Sequence, residues 1–153
     1  MRSALLATAA LSVIATSAFG QGVDPLIGTW KFNPAKSTSS TPLMRSQIMT
    51  WAMDGQTLTN TADTVDAQGQ TLPKSVFIHL YDGKPHPTTG NPNFDSTTYT
   101  RMGNIISIVR FKDGKPVLAG QAIIDPGKTY TLIAGGVTLN NTPYYYVLVY
   151  DRQ

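Results

Sequence analysis

Aspartates that stand just ahead of a glycine punctuate this chain and cut it into short segments. Five do so with zero to two residues between: Asp54-Gly55, Asp66 ahead of Gly69, Asp82-Gly83, Asp113-Gly114 and Asp125-Pro126-Gly127. Such pairs are turn chemistry, because the aspartate bonds its own backbone and the glycine accepts a positive φ. The segments between them are rich in Thr, Val, Ile, Tyr and Phe, and none carries an apolar stripe of helical period. Strands are therefore predicted over 27–32, 46–53, 57–65, 75–81, 97–102, 105–112, 116–124, 129–134 and 144–150. The only long links are 33–45, rich in Ser, Thr and Pro, and 82–96, with three prolines and two glycines. A run of adjacent hairpins folds as a meander, and closing it removes both sticky edges. The fold expected is all-β: an antiparallel up-and-down barrel, with a two-sheet β-sandwich as the alternative.

The first twenty residues are built differently. Arg2 precedes an apolar run from Ala4 to Ala15, and Ala18-Phe19-Gly20 stands ahead of Gln21. Positive start, apolar middle and small residues at the end make a secretory signal peptide over 1–20, with a mature chain beginning near Gln21. As a membrane anchor the run is too short and is interrupted by Thr8, Ser12 and Thr16, so no stable membrane insertion is expected after cleavage. The expected location is the periplasm or the medium. The remainder, 21–153, has the size of a single domain with one core.

Composition narrows the chemistry further. The chain has no cysteine, so an exported domain must be held by packing, without disulfides, and thiol catalysis is excluded. Losing Arg2 takes the formal net charge from +3 to +2, with the basic residues scattered, which argues against a nucleic-acid partner. All nine acids are aspartates, and five of them are already accounted for by turns. Neither a Gly-x-Ser-x-Gly elbow nor a Walker or dinucleotide loop is present. Apposed carboxylates for glycoside chemistry would have to come from Asp24, Asp63, Asp95 and Asp151. No catalytic residue, cofactor or metal site is assigned, and a non-enzymatic role is favoured.

The opening strand reads Leu26-Ile27-Gly28-Thr29-Trp30-Lys31-Phe32, and the chain ends Leu148-Val149-Tyr150-Asp151-Arg152-Gln153. A Gly-x-Trp on the first strand resembles the calycins, the lipocalins and fatty-acid-binding proteins. That resemblance implies that Trp30 plugs one end of the barrel and that Arg152 lies across it. Three segments, Gly28–Ser37, Tyr81–Pro87 followed by Thr89–Pro92, and Val147–Tyr150, are similar to a group of small exported bacterial lipocalin-like proteins of unassigned function. The usual lipocalin disulfide cannot form here, and no paired helices follow the first strand as in the fatty-acid-binding lid.

Candidate binding residues come from strand parity. Side chains alternate along a strand, so 75–81 puts Phe77, His79 and Tyr81 on one face and Val76, Ile78 and Leu80 on the other. His79 is either a ligand-facing group inside a cavity or a histidine satisfied by its neighbours. His86, in the Pro-rich link, forms no recognised zinc or calcium spacing with His79, Asp82 or Asp95. Arg101 shares a face with Tyr99, and Arg110 shares one with Ile106 and Ile108. If these faces point inward, a buried guanidinium needs an acceptor, and a ligand carboxylate is one candidate; if outward, the arginines lie over apolar neighbours. Trp51 with Met49 and Met53, and Tyr144 with Tyr146 and Tyr150, form apolar faces suited to core or pocket.

The candidate ligand-binding set is His79, Tyr81, Tyr99, Arg101 and Arg110, with Trp30 and Arg152 as structural residues. The expected function is binding of a small, mostly apolar or amphipathic molecule with an acidic head. Two alternatives stand beside it: a protein-interaction or inhibitor module that uses the 82–96 loop, and a small barrel isomerase or cyclase. The sequence leaves the oligomeric state open.

Overall fold

A computed structural model describes residues 24–55, 57–138 and 140–153. The signal peptide at 1–20 and the expected mature start at Gln21 lie outside the described residues.

Eleven strands follow in chain order: β1 (Gly28–Phe32), β2 (Thr38–Ser39), β3 (Ser46–Asp54), β4 (Thr57–Val65), β5 (Ser75–His79), β6 (His86–Thr89), β7 (Ser96–Met102), β8 (Ile105–Lys112), β9 (Lys115–Asp125), β10 (Thr129–Val137) and β11 (Pro143–Arg152). Every neighbouring pair is antiparallel. The order runs β1-β3-β4 and on to β11, and β1 also pairs with β11 through Trp30↔Arg152 and Phe32↔Tyr150. Ten strands thus close a barrel, and β2 is an extra ribbon laid on β11. This closure settles the fold as an antiparallel up-and-down barrel; the sandwich would have left β1 and β11 as free edges.

The turns show why the sequence folds this way. At the β8–β9 hairpin both Asp113 (φ 51) and Gly114 (φ 73) have positive φ, the geometry of a two-residue type I′ turn whose twist matches its strands. Asp66 accepts the backbone N–H of Gln70 at 2.8 Å, and Asp82 accepts that of Lys84 at 2.9 Å. Between turns, burial alternates with period two: Met49 and Trp51 on β3, Leu58, Asn60 and Ala62 on β4, Phe77 and His79 on β5 point inward.

Two sequence expectations are corrected. The stretch 82–96, expected as one long loop, contains a strand. It makes a turn at one end of the barrel, where the Gly83 amide donates to the Tyr99 carbonyl at 3.1 Å, then runs back as β6, and only 90–95 turns over the mouth. It therefore belongs to the wall and does not stand out as a binding loop. The strand expected over 75–81 stops at His79, because Tyr81 adopts φ 54 and bends the chain out of the ladder.

One end of the barrel is closed. Leu26 and Trp30 are completely buried there, and the Trp30 indole Nε1 donates to the Leu26 carbonyl at 2.8 Å. The Arg152 guanidinium stands 5.1 Å from the Trp30 ring centroid and donates to the carbonyls of Pro25 and Ile27. Gly28 lets it do so. At φ 128 that residue leaves the conformations open to ordinary side chains, and a Cβ would sit 2.8 Å from Arg152 Nη2. No helix among the described residues is long and apolar enough to cross a membrane.

Candidate functional site

Away from the plug, the barrel encloses a lumen of about 350 Å³. Its mouth is bordered by Thr41 and Met44 from the segment after β2, Asn91 and Asn93 from the β6–β7 turn, and Val137 and Thr138 at the end of β10. The walls are largely aromatic, with Trp51, Phe77, Tyr99, Tyr130, Tyr146 and Tyr150 among the lining side chains. That size lies at the lower end of the range for small-molecule sites, and a mostly apolar wall with a few placed polar groups is their usual make-up.

Three of the five candidate residues come together in this lumen: His79, Tyr99 and Arg110. The imidazole of His79 stacks on the Tyr99 ring with centroids 3.7 Å apart and lies 4.4 Å from the Trp51 ring. Burial, and secondarily the positive charge of Arg110, hold its pKa well below the ordinary histidine value, so the ring is neutral. Burial likewise pushes the Tyr99 phenol up.

Arg110 faces inward on β8, in step with Ile106 and Ile108. Its guanidinium carbon lies 4.4 Å from the Phe94 ring centroid and 5.3 Å from that of Phe77, a cation resting against two adjoining phenyl rings. Its Nε is buried without a hydrogen-bond partner, and no carboxylate among the described residues pairs with it. Arg110 is half-buried and lines the lumen. Burial opposes its charge, whereas Tyr146, Tyr99, Tyr130 and Tyr150 would favour it once ionised, leaving its pKa above the ordinary value. At neutral pH those phenols are protonated, so Arg110 stands in the lumen as an uncompensated cation.

Arg101 and Tyr81 are not brought to the lumen. Both belong to the closed end, where Arg101 Nη1 donates to Asp24 Oδ2 at 2.5 Å and its guanidinium carbon lies 5.5 Å from the Tyr81 ring centroid. Arg101 does point inward, as Tyr99 does, but the chain's own N-terminal turn supplies its carboxylate. His86 is also apart from His79: its Nε2 meets Asp82 Oδ1 at 2.8 Å on the outer turn.

Sequence reasoning missed Asn60 and Phe94. Asn60 is buried with both amide atoms unpaired. Its signal was available, since it takes the inward parity of β4 between Leu58 and Ala62, a polar residue where an apolar one belongs. Phe94 lies in a Pro- and Asn-rich turn with no periodicity to place it, and only the folding of 90–95 over the mouth brings it to Arg110.

No family model matches the sequence, and neither does any curated protein. Solved structures do. Rv2717c from M. tuberculosis is similar at 17% identity and a TM-score of 0.55, with 85% of this chain and 94% of that one covered. The zebrafish ileal bile acid-binding protein, crystallised with cholic acid, is similar at 14% identity and a TM-score of 0.51, with 84% and 99% covered. At such identities the likeness is one of fold.

Proposed function

We propose that this is an exported lipocalin-like binding protein of the periplasm or the medium, which takes one small, mostly apolar molecule with an acidic head into its lumen. Arg110 carries the proposal. A guanidinium buried without an acid is expensive to keep, and a carboxylate delivered by a ligand would supply a bidentate, charge-assisted partner. The aromatic walls suit an apolar body. His79 and Tyr99 line the lumen beside that body, while Arg101 and Tyr81 serve the floor. Export rests on the character of residues 1–20. The bile-acid-binding neighbour lends support, since it was crystallised with an acid, cholic acid.

Displacement of a fluorescent fatty acid from the mature protein tests this reading. Arg110→Met should weaken binding by roughly 10- to 100-fold, the loss of one hydrogen-bonded charge. Arg101→Met should leave affinity near wild type wherever the variant folds. Equal affinity in wild type and Arg110→Met, or no binding by wild type, would refute the proposal.

A further inference from the structure

Three polar side chains buried together in the lumen wall carry atoms without partners. Trp51 on β3 pairs across strands with Asn60 on β4, and Asn60 in turn pairs with Phe77 on β5. His79, two residues beyond Phe77, presses its ring against Trp51 at 4.4 Å. The three are only 3%, 2% and 4% exposed, all line the lumen, and Trp51 Nε1, both amide atoms of Asn60 and His79 Nδ1 make no hydrogen bond. Buried polar groups are nearly always paired, so a knot of four orphaned atoms on one wall needs a cause.

Strand register gives its depth. β8 runs from the closed end toward the mouth, and Arg110 stands two residues mouthward of Ile108. Ile108 pairs with Tyr99, whose ring stacks on His79. His79 is thus one side-chain layer deeper than the cation, about 6–7 Å along the strand, whereas Asn60 stands opposite Phe77, the ring on which the Arg110 guanidinium lies at 5.3 Å. Tyr99, His79, Phe77 and Trp51 all line the lumen.

We infer that Trp51, Asn60 and His79 form a second polar subsite, which receives a hydroxyl or carbonyl at the far end of the ligand whose acid group meets Arg110. This rests on the reading of Arg110 given above and narrows it. The ligand class is a hydroxy- or oxo-substituted carboxylic acid with a flat, unsaturated body. The indole N–H can only donate, the amide can donate and accept, and the neutral imidazole can do either, so together they satisfy both lone pair and proton of a hydroxyl. These atoms are packed against their neighbours, and binding would turn the Asn60 amide toward the lumen.

Calorimetric titration of the mature protein with 3-phenylpropanoate, 3-(4-hydroxyphenyl)propanoate and 3-(4-hydroxyphenyl)propan-1-ol separates the two ends. Wild type should bind the hydroxylated acid about tenfold more tightly than the unsubstituted acid, because a site built for a hydroxyl disfavours the analogue lacking it. Asn60→Leu, close in volume, should abolish that preference and leave phenylpropanoate affinity unchanged or higher. Its melting temperature should be at or above wild type, since an unpaired amide is removed. Arg110→Met should weaken both acids alike and preserve the ratio. A ratio near one in wild type, a ratio unaltered in Asn60→Leu, a lowered melting temperature in that variant, or no binding of any probe overturns the subsite. Loss of the ratio in Asn60→Leu together with indifference to Arg110→Met, and an alcohol that binds as well as its acid, would keep the subsite and remove the carboxylate anchor.

Discussion

Replacing Trp30 by alanine takes away the largest side chain that the barrel buries completely. Truncation of a buried Trp or Phe to Ala costs about 3–5 kcal/mol, the lost transfer free energy plus the cavity left behind. Two further losses are specific to this site. The Leu26 carbonyl loses the indole N–H that lies 2.8 Å away, and Arg152 loses the ring face 5.1 Å beneath it. An orphaned carbonyl adds about 1–3 kcal/mol, although the contributions share one cavity and overlap. The sum is about 4–6 kcal/mol, a large part of the 5–15 kcal/mol typical of a whole domain. Trp30→Phe keeps most of the apolar contact and drops only the hydrogen bond and some ring area, so it should cost about 1–2 kcal/mol. Urea unfolding followed by far-UV circular dichroism measures both variants without relying on the fluorescence that the substitutions remove. Loss of less than about 1.5 kcal/mol in Trp30→Ala, or equal losses in the two variants, would refute the plug reasoning.

Two further predictions concern pH. Burial pushes up the phenols of Tyr81, to about 12, and of Tyr99, Tyr130, Tyr144, Tyr146 and Tyr150. Folded values above the unfolded value near 10 give stability that is whole below about pH 10 and fades as pH rises through the folded values. Stability should therefore drop above that pH with tyrosinate absorbance rising as the barrel opens; full tyrosine ionisation in a still-folded barrel would contradict it. The lowered value of His79 works at the other end, because the unfolded chain takes up a proton below about pH 6.5 that the folded chain resists. Stability should decline from pH 7 to 5 less steeply in His79→Phe than in wild type, and parallel slopes would count against the neutral, buried imidazole.

The all-β class, the meander and most strand positions were legible because they depend on local signals: Asp-Gly turns, β-branched runs and period-two alternation. What escaped depended on tertiary pairing. β2 is a two-residue strand that exists only because β11 offers Tyr146 and Val147 as partners. β6 contains Pro87 and reads as loop, yet it joins the wall through ladders of two residue pairs on each side. For the site, parity put His79, Tyr99, Arg101 and Arg110 on faces shared with apolar or aromatic side chains, but it left open whether those faces point inward and could not distinguish Arg110 from Arg101. Both point inward, and the difference lies in Asp24, 77 residues away in sequence from Arg101.

That difference separates the two ends of the barrel. At the closed end the interior cations and the indole have acceptors from the chain itself, and only the Tyr81 hydroxyl, among the described residues, lacks one: Trp30 has Leu26, Arg101 has Asp24, and Arg152 has Pro25 and Ile27. The same fold that satisfies those groups leaves Arg110, Trp51, Asn60 and His79 unsatisfied in the lumen. Poor packing in general would scatter such orphans; of the five residues that carry them among the described residues, four line one cavity and only Tyr81 lies outside it. Proteins break their local rules chiefly at functional sites and compensate elsewhere. The largely bonded floor is that compensation, and the polar mismatch is gathered in the wall of the lumen, beneath the mouth.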